Sequence, residues 1–164
     1  MQSSELTSIR SFLEYLKFQK RYSPHTVLSY STDLEGFVAF MQQQFGETDI
    51  LNAKSVAIRS WLAGLKGKGQ HSRTINRKIS ALKSFYKFQL KQGTIATSPM
   101  QTIVSPKQNK RLPVYVEKND IDTLFTHVEF PDDWAGKTER LTLLLLYQTG
   151  IRKSELIGLR EDQI

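Results

Sequence analysis

The segment of residues 72–92 constrains the fold most, because its side chains separate onto two faces of one helix. At about 100° per residue, its bulky apolar residues gather on one side, and its cationic residues lie within roughly 80° of one another on the other. The apolar side comprises Ile75, Ile79, Leu82, Phe85, Tyr86 and Leu90, and the opposite side comprises Arg73, Arg77, Ser80, Ser84, Lys87 and Lys91. Such a helix buries one face in a core and leaves a positive face in solvent.

Three further helices are predicted before this segment. An apolar repeat at helical spacing indicates the first, which ends near Arg21. Ser23, followed by a proline, is typical of a helix start, and Gly46 of a helix end. A third, shorter helix is expected at about residues 54–65, with Val56 among its inward side chains. Four amphipathic helices with short breaks predict a compact all-α domain, which we place at residues 1–98.

The charge is divided unevenly along the chain. Residues 1–110 contain 16 Lys and Arg against 6 Asp and Glu, whereas residues 111–164 contain 7 against 10. This asymmetry indicates two units and assigns any surface for a polyanion to the first. A polybasic membrane surface is the competing interpretation. It is the weaker one, because no helix sets a Lys/Arg face against Trp and Phe at interfacial spacing.

Several classes of protein are disfavoured by composition. There is no cysteine, which excludes disulfides and thiolate metal sites, and the three histidines are scattered, so no metal site is expected. The longest apolar run, residues 143–147, is far shorter than the ~18 residues of a membrane span. The N-terminus lacks the features of a secretory signal. We therefore expect a cytoplasmic protein without a membrane segment.

A composition change separates the two predicted units. Residues 99–113 combine prolines with Lys107, Lys110 and Arg111 and lack apolar periodicity, which predicts a basic linker between domains. Residues 114–164 then predict a second helical region. It begins with a helix at about residues 118–128, and a polar loop at residues 131–137 leads to an apolar helix that ends at Thr149.

The most specific motif lies near the end, in TGIRKSELIGLREDQI. Gly150 suits the left-handed position that closes a helix, and a new helix is expected from about Lys153, with Leu156, Ile157 and Leu159 buried. Arg152 lies in the elbow, where a guanidinium beside the free amides of a helix start is suited to holding a phosphate. Glu155 is placed to reach back as a capping or arginine-orienting carboxylate.

These motifs resemble the tyrosine recombinases, also called the phage integrase family. TGIRKSEL, followed by GL, resembles the first catalytic box of that family. The segments YSPHTVLSYSTDLEGFVAFM and HSRTINRKISALKSFYKFQLKQGTIATSPM resemble the second and fourth helices of its core-binding domain, and PKQNKRLPVYVEKNDI resembles its linker. The resemblance spans nearly the whole chain. It implies a four-helix SAM-like core-binding domain followed by a helical start of the catalytic domain at residues 114–164.

The resemblance also implies a chemistry. Arg152 matches the first catalytic arginine of the family, which contacts the scissile phosphate, and Glu155 matches the acidic residue that supports it. Cleavage and rejoining of DNA then proceed through a covalent phosphotyrosine, with no metal ion, nucleotide or other cofactor. The implied assembly is a homotetramer on duplex DNA.

The implied DNA-binding surface is the basic side of residues 72–92 together with the start of the second helix. Arg73, Arg77, Lys87 and Lys91 are expected to meet phosphates, and Thr74, Asn76, Ser80 and Lys83 to face base edges. His25 and Thr26 open the second helix beside a further phosphate, with simple capping and solvation as an equal alternative. For Lys107, Lys110 and Arg111, contact with the DNA backbone and a solvated linker both remain open.

The sequence departs from the family after its first box. The hairpin lysine, the His-x-x-Arg box, the second His or Trp and the tyrosine nucleophile of the family all follow that box, and none of the six tyrosines matches the nucleophile. The six are Tyr15, Tyr22, Tyr30, Tyr86, Tyr115 and Tyr147. We therefore expect a fragment that binds DNA but does not cut it. Two alternatives are a non-catalytic DNA-binding regulator and a helical module whose basic face meets an acidic protein.

Overall fold

The computed structural model describes residues 2–107, 114–160 and 162, with side chains from residue 7 onward. All its regular elements are helical, which confirms the predicted all-α class for these residues. The chain divides into two compact units, residues 1–110 and 111–164.

Four α-helices build the first unit. They are α1 (Gln2–Glu14), α2 (Pro24–Phe45), α3 (Ser55–Gly67) and α4 (Ser72–Lys91), with a π-helical turn (Tyr15–Gln19) after α1 and a 3₁₀ turn (Ile50–Asn52) before α3. Helix α4 contacts the other three, because its apolar side faces the centre of the bundle. The predicted order and boundaries of these helices are confirmed to within a few residues, except that the first ends in the π-helical turn.

Local signals fix both ends of α2. The Ser23 side chain accepts a hydrogen bond from the amide of Thr26 at 3.3 Å, and Pro24 occupies the first helical position, where its missing N–H costs nothing. Gly46 ends the helix at φ 69°, a left-handed conformation that glycine adopts without strain. Both signals were read correctly from the sequence.

The core of the first unit is apolar and aromatic. Its fully buried members include Phe12, Leu34, Phe37, Ile58, Ile79, Leu82 and Phe85. Tyr86 is also fully buried, and its hydroxyl donates to the carbonyl oxygen of Ile50 at 2.6 Å. Burial, and secondarily the negative charge of Asp49, raises the pKa of the Tyr86 hydroxyl, so this group stays a neutral donor. Val56, expected to face inward, is exposed, because the inner side of α3 is filled by Ala57, Ile58 and Trp61.

The chain after α4 belongs to the first unit for longer than its composition indicates. Met100 and Ile103, which the sequence places in the linker from residue 99, are only 4% and 6% exposed and join the core. Arg59 of α3 donates to the Thr102 hydroxyl at 2.7 Å, and Asn76 of α4 donates to the Pro106 carbonyl at 3.0 Å. The linker predicted from residue 99 therefore begins inside this packed segment. Its two buried apolar side chains lie in turns, so no helical periodicity reveals their burial in the sequence.

Three helices form the second unit: α5 (Lys118–His127), α6 (Trp134–Thr149) and α7 (Lys153–Ile157). The predicted polar loop is shorter than expected, because Asp133 caps α6 by accepting from the amide of Gly136 at 2.8 Å. Gly136 is the one buried residue among residues 114–160. Ile157 and Leu159 were expected to be buried and are exposed, Ile157 by 73%, because α7 has only five residues and packs mainly against α6.

Candidate nucleic-acid interface

The exposed side of α4 is positively charged along its whole length. We call Arg73, Arg77, Ser80, Lys83, Ser84, Lys87 and Lys91 the basic face; all but the half-buried Ser84 are exposed. Helix α4 contains no acidic residue. Its cations therefore have no carboxylate neighbour on their own helix. A polyanion can approach this side without meeting negative charge from α4.

Arg77 differs from the other cations of the basic face because a buried carboxylate holds it. Its Nη1 lies 2.6 Å from Oδ2 of Asp33 on α2 and 3.2 Å from the carbonyl oxygen of Ser29. The other oxygen of Asp33 lies 2.8 Å from Nζ of Lys78, whose amine is also 5.4 Å from the centroid of the Trp61 ring. Asp33 is fully buried, so these two cations compensate its charge.

Sequence reasoning missed Asp33 and Lys78, although a signal for both was present. Asp33 interrupts the apolar stripe of α2 between Tyr30 and Phe37, and Lys78 lies within the apolar sector of α4. Opposite charges in the inner faces of two helices that pack together indicate a buried ion pair. The pair fixes α2 against α4 and holds the Arg77 guanidinium at the edge of the basic face.

Two residues predicted to face base edges have other surroundings. The amide nitrogen of Asn76 donates to Pro106, and its Oδ1 is buried with no partner among the described residues. Thr74 is half-buried and lies about 100° around the helix from Arg73, outside the basic face. By contrast, Ser80 and Lys83 are exposed on it, and the Ser80 hydroxyl donates to the Asn76 carbonyl at 2.9 Å.

The start of α2 lies beside the basic face. Ser29 contacts Arg77 near one end of that face, and Tyr22 lines a cavity with Ser84 and Lys87 towards its other end. His25 and Thr26 lie between these two contacts in the chain; His25 is exposed, and the Thr26 hydroxyl is 2.9 Å from that of Ser23. Ser29 and Tyr22 thus contact the basic face or line a cavity with it, and His25 and Thr26 lie between them in the chain.

The predicted linker contacts are only partly visible. Lys107 is exposed at the end of the packed segment after α4. Lys110 and Arg111 lie outside the described residues.

Arg152 and Glu155 form a compact pair at the start of α7. The Arg152 amide donates to Oε2 of Glu155 at 3.0 Å, and its Nη1 donates to Oε1 at 2.8 Å. These hydrogen bonds hold the pKa of Glu155 below its ordinary value. The Arg152 side chain is 80% exposed, so the remaining donors of its guanidinium face solvent. Glu155 thus orients Arg152 without covering it; the catalytic role of the pair stays a prediction.

The described residues offer neither a metal site nor a membrane span. Among the described residues, no group of three or more His, Asp or Glu side chains is arranged to hold a metal ion. None of the helices in that part of the chain combines the length and the hydropathy that crossing a bilayer requires.

Comparison with known proteins identifies relatives of both units. Tyrosine recombinase XerC of Bacillus subtilis (strain 168) is 37% identical over 156 residues, which are 95% of this chain and 51% of the relative. XerC of Staphylococcus carnosus (strain TM300) is 36% identical over 154 residues, 94% of this chain and 51% of that protein. The chain therefore spans about half the length of the curated relatives it matches.

A solved structure and a family model agree with these relatives. The Tn1549 transposon integrase, solved in complex with a circular intermediate DNA, shares the fold at a TM-score of 0.63 and 18% identity, over 94% of this chain and 48% of that one. The family model of the phage integrase N-terminal SAM-like domain matches residues 9–93. The resemblance read from the sequence motifs is confirmed, and the chain belongs to the phage integrase family, the tyrosine recombinases.

Proposed function

We propose that the first unit binds duplex DNA through the basic face of α4, with the start of α2 beside it. One observation carries this proposal: a 20-residue helix exposes cations along one side and has no acidic residue. Phosphates supply most of the affinity for such a surface. Residues 1–110 contain 16 cationic and 6 acidic residues, and this excess of positive charge supports the same assignment.

The contact proposed for each side chain depends on whether other residues of the protein already hold that side chain. Arg73, Lys87 and Lys91 meet phosphates, while Arg77 offers only the donors that Asp33 and Ser29 leave. Ser80 and Lys83 face the base edges. Thr74 and Asn76 contribute less than the sequence predicted, because Thr74 lies off the face and the Asn76 amide holds Pro106.

The experiment compares charge-neutralised variants of the full chain in binding to a fluorescent duplex of about 30 base pairs. We expect the affinity of the parent chain to fall steeply with salt, because each phosphate contact releases counterions. Arg73→Gln should weaken binding and lower the slope of log K against log salt by about 0.9, the value for one lost contact.

Lys68→Gln is the matched control, because Lys68 is an exposed cation of the same unit outside α4. It removes the same charge and should leave the slope unchanged. No complex at low salt, or equal effects of the two substitutions, would contradict binding through the basic face. Binding of an acidic protein with no duplex binding would support the interaction-module alternative instead.

The second unit supplies the first catalytic arginine of a longer protein. In that full-length form Arg152 contacts the scissile phosphate and stabilises charge on its oxygens, Glu155 orients it, and the tyrosine of the family attacks. Residues 1–164 alone bind DNA without cutting it. The full-length protein acts as a homotetramer in the cytoplasm, without a metal ion or nucleotide cofactor.

Full-length protein tests this second part of the proposal. Arg152→Ala should abolish cleavage and leave site binding nearly unchanged, and Glu155→Gln should reduce cleavage less. Sedimentation of the DNA complex should give a mass of four protomers. Retained strand exchange by the Arg152 variant would refute the assigned role.

A further inference from the structure

A cavity of about 380 Å³ opens at the C-terminal end of the basic face. It lies between α4 and the end of α1, and we call it the Lys20 pocket. Tyr15, Lys20 and Tyr22 line it from the segment after α1, and Ser84, Lys87 and Lys91 line it from α4; Phe12, Leu16 and Phe88 complete the lining. Neither Lys20 nor Tyr22 lies on α4, so helical periodicity does not place them there.

The charge of this pocket is uncompensated. Lys20, Lys87 and Lys91 form no ion pair with any residue that the structure describes. The amine of Lys20 lies 5.9 Å from the ring centroid of Tyr15, and the neighbouring acid, Glu14, is paired with Arg10 at 3.3 Å. Three amines around one cavity repel one another, and a bound anion relieves that repulsion.

The backbone beside the pocket is irregular. The π-helical turn of Tyr15–Gln19 leads into Arg21, which has a φ of 52° and is, among the described residues, the one other than glycine with a left-handed φ. The Lys20 amide donates to the Tyr15 carbonyl and the Tyr22 amide to the Leu16 carbonyl, both at 3.0 Å. Both irregularities cost free energy and recur at binding sites. Here they bring Lys20 and Tyr22 to the same cavity as Lys87.

The rest of the lining is apolar. Phe12, Leu16 and Phe88 are buried, and the ring centroids of Tyr15 and Phe88 are 4.8 Å apart. Amines and hydroxyls beside apolar side chains suit a phosphate that is attached to a sugar. Because Lys87 and Lys91 belong to both the pocket and the basic face, the pocket is continuous with the proposed DNA interface.

We infer that the Lys20 pocket holds one phosphodiester group of the bound DNA. Lys20 and Lys87 supply the charge, and the hydroxyls of Tyr22 and Ser84 supply hydrogen bonds. This inference rests on the proposed duplex binding and extends the interface from α4 to the end of α1.

The test compares Lys20→Gln with Lys17→Gln in the full chain. Lys17 belongs to the same π-helical turn and lies 5.1 Å from the ring centroid of Phe18, but it does not line the pocket. We expect Lys20→Gln to weaken duplex binding by about fivefold and to lower the salt slope by about 0.9, while Lys17→Gln changes neither. Tyr22→Phe should weaken binding by about twofold.

Equal effects of the two lysine substitutions would overturn the inference, because they would reflect general charge alone. So would a Lys20→Gln variant that loses stability but keeps its affinity, since the amine would then serve only the Tyr15 ring. If Arg73→Gln weakens binding and Lys20→Gln does not, the pocket assignment fails and the basic-face proposal stands. If the parent chain binds no duplex, the proposed function itself fails.

Titration with inorganic phosphate tests whether the pocket binds free phosphate or a phosphodiester group of DNA. Amide NMR shifts of Ser84 and Phe88 should move weakly with phosphate and strongly with the duplex. Saturation by phosphate, combined with duplex affinity that does not depend on Lys20, would assign the pocket to a free phosphate and overturn the inference.

Discussion

Helices α4 and α6 show how differently the two units use apolar residues. Helix α4 places its apolar residues on one side, contacts three other helices and buries Leu82 completely. Helix α6 has four consecutive leucines, residues 143–146, and they are at most half-buried, since α7 covers only part of them. A one-sided pattern lets a small unit complete its own core and keep a free face for binding, whereas an apolar run requires contacts on several sides.

The largest expected difference between the units comes from a matched pair of leucines. Leu82→Ala in α4 should cost about 4 kcal/mol, because it empties a closed core, while Leu145→Ala in α6 should cost roughly 1 kcal/mol, since this side chain is only half-buried. Urea unfolding followed by hydrogen exchange of amides in each helix measures both values. Equal losses would show that the second unit is packed as tightly as the first.

Loss of the buried Asp33 carboxylate should lower the stability of the first unit nearly as much as loss of an apolar core side chain. Asp33→Asn leaves the mostly buried amine of Lys78 without its carboxylate and should cost about 3 kcal/mol. Glu35→Gln, at an exposed acid two residues further along α2, is the control and should change stability by less than about 0.5 kcal/mol. Calorimetry of the parent chain and the two variants measures these changes in stability. An Asp33→Asn variant as stable as the parent chain would mean that the ion pair is not needed for stability.

Loss of a helix cap should lower stability by the same amount in both units, because a cap acts only on the first turn of its own helix. Ser23→Ala removes the cap of α2, and Asp133→Ala removes the cap of α6. Each should cost about 1 kcal/mol. Exchange rates of the amides of Thr26 and Gly136 report the two losses separately. A cap effect confined to the first unit would indicate that α6 opens before its cap breaks.

The smallest expected effect is a pH dependence in the second unit. The hydrogen bonds from Arg152 lower the pKa of Glu155, so their contribution is complete above the ordinary pKa of a glutamate. It is lost as the pH falls through the lowered value. NMR titration of the Arg152 amide should show a midpoint below the ordinary pKa of a glutamate, and Glu155→Gln should abolish the transition. A midpoint at or above that ordinary value would contradict the pairing.

The parts of the fold that follow from short-range rules were predictable. Ser23, Gly46 and Gly150 act on the one or two turns beside them, so both ends of α2 and the C-terminal end of α6 could be predicted directly. The two-sided pattern of residues 72–92 likewise needs only helical geometry. The family motif around Arg152 was equally local.

The remaining features depend on partners that are distant in the chain. Asp33 and Lys78 are separated by 45 residues, and Met100 finds its core position in a segment without periodicity. The π-helical turn that brings Lys20 to its pocket has no composition that marks it. Periodicity therefore identified the basic face, while the side chains that fix or extend it required the three-dimensional packing.

The buried carboxylate of Asp33 has a consequence for comparing relatives of this protein. Arg77 and Lys78 share one internal counter-charge, so tallying lysines and arginines overstates the surface potential that a nucleic acid encounters. A homologue with an apolar residue at the equivalent of Asp33 would have a higher formal charge and yet a less ordered guanidinium. Ranking family members by isoelectric point would then overlook how firmly this guanidinium is positioned.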